Sequence, residues 1–349
     1  MQHSIIAQDL KYIAESSSIP YEMLREKRLL ITGGTGLIGS TLVRALLYSN
    51  REMALGLKLY VLARNVEKAQ AMLLDRAEDR DTVIFLRGDV EHIPDFEGNV
   101  DYVIHGAYPT ASKYFSSRPV ETIKTGIYGT LNLLELAREK QAQRFLFLSS
   151  MEAYGEVLHE EKITERDLGY IDLYAVRSCY PESKRMCENI CCCYGAEYGI
   201  STSSLRLAQT FGPGVSIDDK RVFAMMARCA MNHEDIVLNT PGASKHAYLY
   251  SAQAVTAILT VLLKGSGGKA YNAANPETYC SIYEMGQMVA GQIAGNEISV
   301  RVNASQDVSM YPPTSYLNLD ITEITKLGWK PDADLKYMFD RMMAAMVEQ

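Results

Sequence analysis

The chain has 349 residues, of which 22% are charged and 47% hydrophobic, with a formal net charge of −7. That balance excludes wholesale disorder and any overall basic surface for nucleic acid or an anionic membrane, so an anionic ligand must be held locally. The length suits about two domains of ~100–200 residues each.

The opening stretch "MQHSIIAQDLKYIAESSSIPYEMLREKR" mixes acids among its apolar residues and lacks the apolar centre of a signal peptide. No later run approaches the ~20 apolar residues of a membrane span, so a cytoplasmic protein with no membrane partner is expected. Residues 1–27 read as an amphipathic helical extension, with Ile5, Ile6, Leu10, Ile13, Met23 and Leu24 as its buried positions. "RLLITGGTGLIGSTLVRALLYSN" then reads as a short apolar strand, a glycine turn and a helix, the start of a βαβ unit.

Further apolar strands are predicted at 58–62, 82–86, 102–105, 144–149 and 201–207, with a helix such as 130–140 between them. Alternating strands and helices predict an α/β fold of Rossmann type, a doubly wound parallel sheet. After "LAQTFGPG" the segments shorten and Pro and Asn become more frequent, which predicts a smaller C-terminal substrate-binding lobe. The expected division is a dinucleotide-binding domain at 28–208 with 245–275 returning to it, and a lobe made of 209–244 and 276–349.

In "ITGGTGLIGS", Gly33, Gly36 and Gly39 stand three apart between strand and helix. Such glycines serve a tight turn, close backbone approach to a pyrophosphate and close helix packing, with the helix N-terminus facing the anion. The predicted dinucleotide contacts are Gly33, Thr35, Gly36, Leu37, Ile38 and Gly39, with Ala107 from a later strand end. Where a carboxylate commonly bonds the adenosine ribose, "YVLARN" offers Arg64, which suits a 2′-phosphate or is simply a solvated side chain. Asp89 and Val90 of "RGDV" fall where the adenine would lie, and Asp89 reads either as an acceptor for its amino group or as a turn aspartate. The cofactor is therefore NAD or NADP.

The seven cysteines are odd in number and include the adjacent Cys191, Cys192 and Cys193. Free thiols are expected, and no metal site, since neither a C-x-x-C pair nor a His pair occurs at ligand spacing. "CYPESKRM" carries Tyr180 and Lys184 four positions apart, but among 22 tyrosines a Tyr-x-x-x-Lys match arises by chance about once per chain.

Other motifs decide between the two. "TGGTGLIG", "VIHGAY", "GTLNLLELA", "FLSSMEAYG", "YPESK" and "RLAQTFGPG", followed by "YNAANPE" and "LGWKP", come in the order of the extended short-chain dehydrogenase/reductases. From Leu29 to Trp329 the chain resembles their NAD-dependent epimerase/dehydratase group, which acts on nucleotide sugars. "RSCYPESKRMCE" is most similar to UDP-glucuronate decarboxylases, with dTDP-glucose 4,6-dehydratases as further relatives. The resemblance implies that Ser150, Tyr180 and Lys184 form the catalytic group, and that Glu152 acts on an oxidised intermediate. It also implies a homodimer built on helices around 123–140 and 180–193.

The chemistry agrees with those roles. A phenol of ordinary pKa about 10 is a poor base near pH 7, but a neighbouring ammonium and a cationic nicotinamide favour its phenolate. Tyr180 can then accept a proton from a sugar hydroxyl as hydride passes to the cofactor. Met151 stands where the dehydratases carry an acid and cannot protonate a departing hydroxyl, which disfavours simple dehydration.

Tyr108, Met151, Gln209, Arg221 and His246 are the predicted substrate contacts. Here the chain departs from the family: Gln209 replaces an asparagine, Gly214 and Val215 stand where decarboxylases carry an arginine, and "TPGASKHAYLY" offers Lys245 or His246 for a phosphate-binding arginine. Lys220 and Arg221 are possible compensating donors. Three functions follow in order: C4 oxidation of a nucleotide sugar with conversion of the keto sugar, an NADPH-dependent reductase of a nucleotide-linked sugar or ketose, and a non-catalytic dinucleotide sensor.

Overall fold

The computed structural model describes residues 4–110, 112–303 and 314–348. In chain order the first half runs α1 (Ile5–Ala14), β1 (Arg28–Thr32), α2 (Leu37–Met53), β2 (Lys58–Ala63), α3 (Val66–Leu73), β3 (Val83–Arg87), β4 (Tyr102–His105), α4 (Ser112–Ser117), α5 (Pro119–Glu139), β5 (Arg144–Ser150), α6 (Cys179–Tyr198) and β6 (Ser201–Leu207). The second half runs β7 (Gln209–Phe211), α7 (Val222–Asn232), β8 (Ile236–Leu238), β9 (Lys245–Tyr250), α8 (Ser251–Lys264), β10 (Lys269–Ala273), β11 (Asn275–Ser281), α9 (Ile282–Met288), β12 (Val300–Val302), β13 (Tyr316–Leu317), α10 (Thr322–Thr325) and α11 (Leu335–Val347).

Seven strands form one sheet in the order β10-β6-β5-β4-β1-β2-β3, and every neighbouring pair is parallel. Such strands are covered on both faces, which explains why Leu29, Leu30 and Ile31 of β1 are all fully buried. The strand order reverses between β1 and β4, and ligands of such sheets bind at the C-terminal strand ends beside that switch. The expected doubly wound sheet is present. A second sheet has β9 between β11 and β13 with β7 also on β9, and its buried residues share one core with the main sheet. The segment 245–250 belongs to this smaller sheet as β9, and the chain returns to the main sheet through α8 and β10.

The N-terminal extension is not one helix. After "ESSSIP" only a single 3-10 turn, Tyr21–Leu24, precedes β1. Small hydroxylated residues and Pro20 compete with helix geometry there. Leu10, Ile13 and Leu24 are buried while Ile5, Ile6 and Met23 are half-buried, and α1 packs on α2, α8 and α11. That cover explains α8, which is buried from Ser251 to Leu263 without a solvent face. The predicted 130–140 helix is the second half of the longer α5, which starts with a proline at its first turn.

Candidate active site

Thr32, the last residue of β1, stitches the switch point together. Its hydroxyl oxygen accepts from the N–H groups of Gly106 at 3.2 Å and Ala107 at 3.1 Å, which leaves its own proton for His105 Nδ1 at 2.9 Å. Burial and the nearby Lys184 charge push the His105 pKa down to about 3, so the ring is neutral.

Gly33 adopts φ +76°, and a Cβ there would lie 2.6 Å from the Gly106 carbonyl. A Cβ on Gly39 would lie 2.0 Å from the Gly33 oxygen. Gly36 starts α2 without a side-chain cap, so the first-turn N–H groups around Leu37, Ile38 and Gly39 lack intrahelical partners. This bare cradle at a positive helix end, with the Ala107 N–H beside Gly33 and Thr35 exposed in the turn, fits a dinucleotide pyrophosphate.

Arg64 is exposed just beyond β2. Asp89 Oδ1 accepts from the N–H groups of Glu91 and His92, each at 2.9 Å, so the aspartate shapes its own turn. Val90 is buried against Gly129.

The catalytic candidates converge at the end of β5. Ser150 caps the 3-10 turn Met151–Tyr154, accepting from the Glu152 N–H at 3.2 Å. Tyr180 and Lys184 share one face at the start of α6 and are 6% and 3% exposed. Phe115 of α4 stacks on the Tyr180 ring, with centroids 4.2 Å apart and planes at 13°, and Tyr108 meets it edge-on at 5.3 Å. Arg177 donates to both oxygens of Glu152, at 2.9 and 3.2 Å. Behind the site, Glu188 accepts from Arg206 at 3.0 and 2.7 Å and from the Ser149 hydroxyl, which locks α6 onto β5 and β6.

Electrostatics bear on the charge of Tyr180. Lys184 Nζ donates to the Leu148 carbonyl at 2.8 Å and lies 3.9 Å above the Tyr108 ring centre, against 5.7 Å for the Tyr180 ring. Burial first and the Glu152 charge second push the Tyr180 phenol above its usual range, while a Ser150 hydrogen bond and the Arg177 charge oppose them. Without the nicotinamide charge, burial and Glu152 dominate at the Tyr180 phenol. Burial also lowers Lys184 to about 8.

Among the predicted substrate contacts, Gln209 begins β7 opposite Tyr248, and Met151 packs half-buried against the main core. Arg221 folds back on Asp219 at 3.0 Å, and Lys245 pairs with Glu160 at 2.8 Å. His246 meets the Ser315 hydroxyl at 3.1 Å, and burial lowers its pKa to about 4. A neutral histidine and two committed cations do not reproduce a free arginine fork. Among the described residues, no hydrogen bond, ion pair or ring contact links Gln209, Arg221, Lys245 or His246 to the Tyr180 cluster. Phe115 escaped the sequence reading, and Arg177, three residues before Tyr180 in the decarboxylase-like stretch, has no role assigned there.

The sequence pattern of the NAD dependent epimerase/dehydratase family matches residues 29–274. The chain belongs to this family. UDP-glucuronic acid decarboxylase 6 of Arabidopsis thaliana is 31% identical over 311 residues, covering 88% of this chain and 85% of that protein. UDP-glucuronic acid decarboxylase 1 of Xenopus tropicalis is 29% identical over 324 residues, covering 91% and 72%. Among solved structures, the dTDP-glucose 4,6-dehydratase of Streptomyces venezuelae with NAD and TYD bound matches with a TM-score of 0.74 at 21% identity, covering 92% of this chain and 97% of that one. The UDP-glucose 4-epimerase of Thermotoga maritima with UDP-glucose matches at 0.73 and 20%, covering 92% and 99%. The family member described here is an enzyme of the epimerase/dehydratase type, and the curated relatives it resembles are named for acting on UDP-glucuronic acid.

Proposed function

We propose that the enzyme oxidises the C4 hydroxyl of a nucleotide sugar and then removes a carboxylate carried at C5, as a decarboxylase of the kind its curated relatives are named for. The supporting observation is the grouping of Glu152 with Ser150 and Tyr180 on the side where Met151 offers no acid. When bound, the dinucleotide supplies a hydride acceptor at C4, a positive charge beside Tyr180, and the hydride that restores the alcohol.

The protein's own groups handle the proton and the charge. With the nicotinamide charge beside it Tyr180 would first give its own proton to solvent, and as phenolate it takes the C4 hydroxyl proton as the C4 hydride leaves, while Ser150 hydrogen-bonds the resulting carbonyl oxygen. In the 4-keto sugar the C5–C6 bond breaks, its electron pair moves to the C4 oxygen, and carbon dioxide departs. Tyr180 and Ser150 face that developing negative charge as hydrogen-bond donors. A proton from water then adds at C5 as the C4 carbonyl re-forms, and Tyr180 returns its proton to the C4 oxygen when the alcohol re-forms. Glu152 works on the keto stage, through its charge near C5.

Mixing the NAD-loaded enzyme with UDP-glucuronate tests this. Tyr180→Phe should give neither reduced nicotinamide nor carbon dioxide beyond a small residue, whereas Glu152→Gln should keep the burst of reduced nicotinamide while turnover falls ~10²-fold or more. Wild-type turnover in Glu152→Gln would favour the alternative reading, an NADPH-dependent reductase of a nucleotide-linked sugar. The exposed Arg64 supports that alternative, since a consumed cofactor is commonly the phosphorylated form. Our reading further takes the enzyme as a cytoplasmic homodimer. Seven free cysteines, two of them exposed, suit a reducing compartment.

A further inference from the structure

We propose that Arg177 is the specificity-determining residue for a carboxylate on the sugar, holding that group beside Tyr180 while still paired with Glu152. The inference rests on the decarboxylase reading above and goes beyond it by assigning the recognition to one side chain.

Donor accounting comes first. A guanidinium carries five N–H groups. Glu152 takes one from each terminal nitrogen, and Ser112 Oγ takes the second from Nη2 at 3.4 Å. One Nη1–H and the Nε–H remain, and Nε is buried without a partner. The Nε–H shares its edge with Nη2 and Ser112 while the free Nη1–H lies on the opposite edge, so an arriving acceptor takes the Nη1–H as one charge-assisted bond without displacing Glu152.

Charge comes second. A sugar carboxylate entering beside Glu152 meets a like charge and a buried phenol, and needs a cation next to both. In the lobe Arg221 is spent on Asp219 and Lys245 on Glu160, while His246 is neutral. Lys184 is buried and directed at the Leu148 carbonyl. Arg177 is 34% exposed and Glu152 29%, so the pair is open to a ligand and not sealed in the core.

Distance comes third. C4 and C5 are adjacent in the sugar ring, so the groups that touch the C4 hydroxyl and the C5 carboxylate must themselves be neighbours. Phe115 touches both: its ring stacks on Tyr180 and its centre lies 5.8 Å from the Arg177 guanidinium, whose charge acts on the Tyr180 phenol. One aromatic surface therefore aligns the phenol and the fork. The segment Val176–Ser178 brings Arg177 there because it turns directly into α6, three residues before Tyr180.

Calorimetry on the NAD-loaded enzyme with UDP-glucuronate and UDP-glucose tests the assignment, because the two probes differ only at C6. Wild type should prefer UDP-glucuronate. Arg177→Gln should weaken UDP-glucuronate by roughly 10- to 100-fold, the scale of charge-assisted hydrogen bonds, and leave UDP-glucose within about threefold. Arg177→Lys should recover part of the preference through charge while lacking the fork. Equal losses for both sugars, or a preference that survives in Arg177→Gln, would overturn the assignment. If wild type binds UDP-glucose well and UDP-glucuronate no better, the assignment falls while a nucleotide-sugar site stands. If it binds neither, the decarboxylase reading falls too.

Discussion

Arg64 shows what a single side chain decides. It stands exposed just past β2, where neighbouring Asn65 caps α3, and a 2′-phosphate on the adenosine ribose would meet a guanidinium suited to bidentate pairing. Arg64→Ala should therefore weaken NADP about tenfold or more and leave NAD nearly unchanged in a fluorescence titration; equal losses would mean that the side chain only shapes the loop. Tyr180 teaches a different lesson at the same scale. Its identity was readable from "YPESK" in company with the other motifs, but its charge state was not, because that depends on burial and on a Glu152 carboxylate brought from 28 residues away in the chain. The role of Arg177 in the same stretch is invisible in the sequence, since a bidentate pair across two 3-10 turns leaves no periodic trace.

At the scale of elements, α1 and α11 are joined by a buried cluster from opposite ends of the chain. Asp9 accepts from Arg341 at 2.6 Å and from the Tyr250 hydroxyl at 2.7 Å, and Arg341 also reaches Tyr250, Gln8 and the Ile5 carbonyl. Removing one partner of a buried ion pair leaves the other uncompensated, so Asp9→Ala should cost about 3–5 kcal/mol and lower the urea midpoint of unfolding. An unchanged midpoint would show that α1 is dispensable to the fold. The amphipathic spacing of Leu10 and Ile13 made α1 readable, whereas Asp9 on its buried face broke the pattern. Only Arg341, 332 residues further on, explains why an acid belongs there.

The whole molecule carries an unpartnered apolar face. Val120, Ile123 and Tyr128 of α5 are 58%, 42% and 53% exposed, and Met186 of α6 is 50% exposed, although α5 and α6 pack against each other. A second copy placing the same two helices on this face would bury it as a four-helix interface with twofold symmetry. Sedimentation should give one species of twice the chain mass at micromolar concentration, and Ile123→Glu should give monomers of unchanged circular dichroism. A wild-type chain that sediments only as monomer across that range would end the homodimer proposal.

The sequence by itself determined the parallel sheet, the glycine cradle and the membership of Ser150, Tyr180 and Lys184 in one motif set. Those features repeat at short range: strands alternate with helices, glycines follow a three-residue spacing, and Tyr180 and Lys184 lie one helical turn apart. Tertiary structure alone decided how the charges are used. Arg221, Lys245 and His246 read as equivalent candidate donors in the sequence, yet folding gives the first two to Asp219 and Glu160 and strips the third of its charge by burial. The pairing of Arg177 with Glu152 is equally a product of the fold. A side chain's charge and free donors depend on neighbours and on exclusion of water, and both are fixed only when distant segments meet.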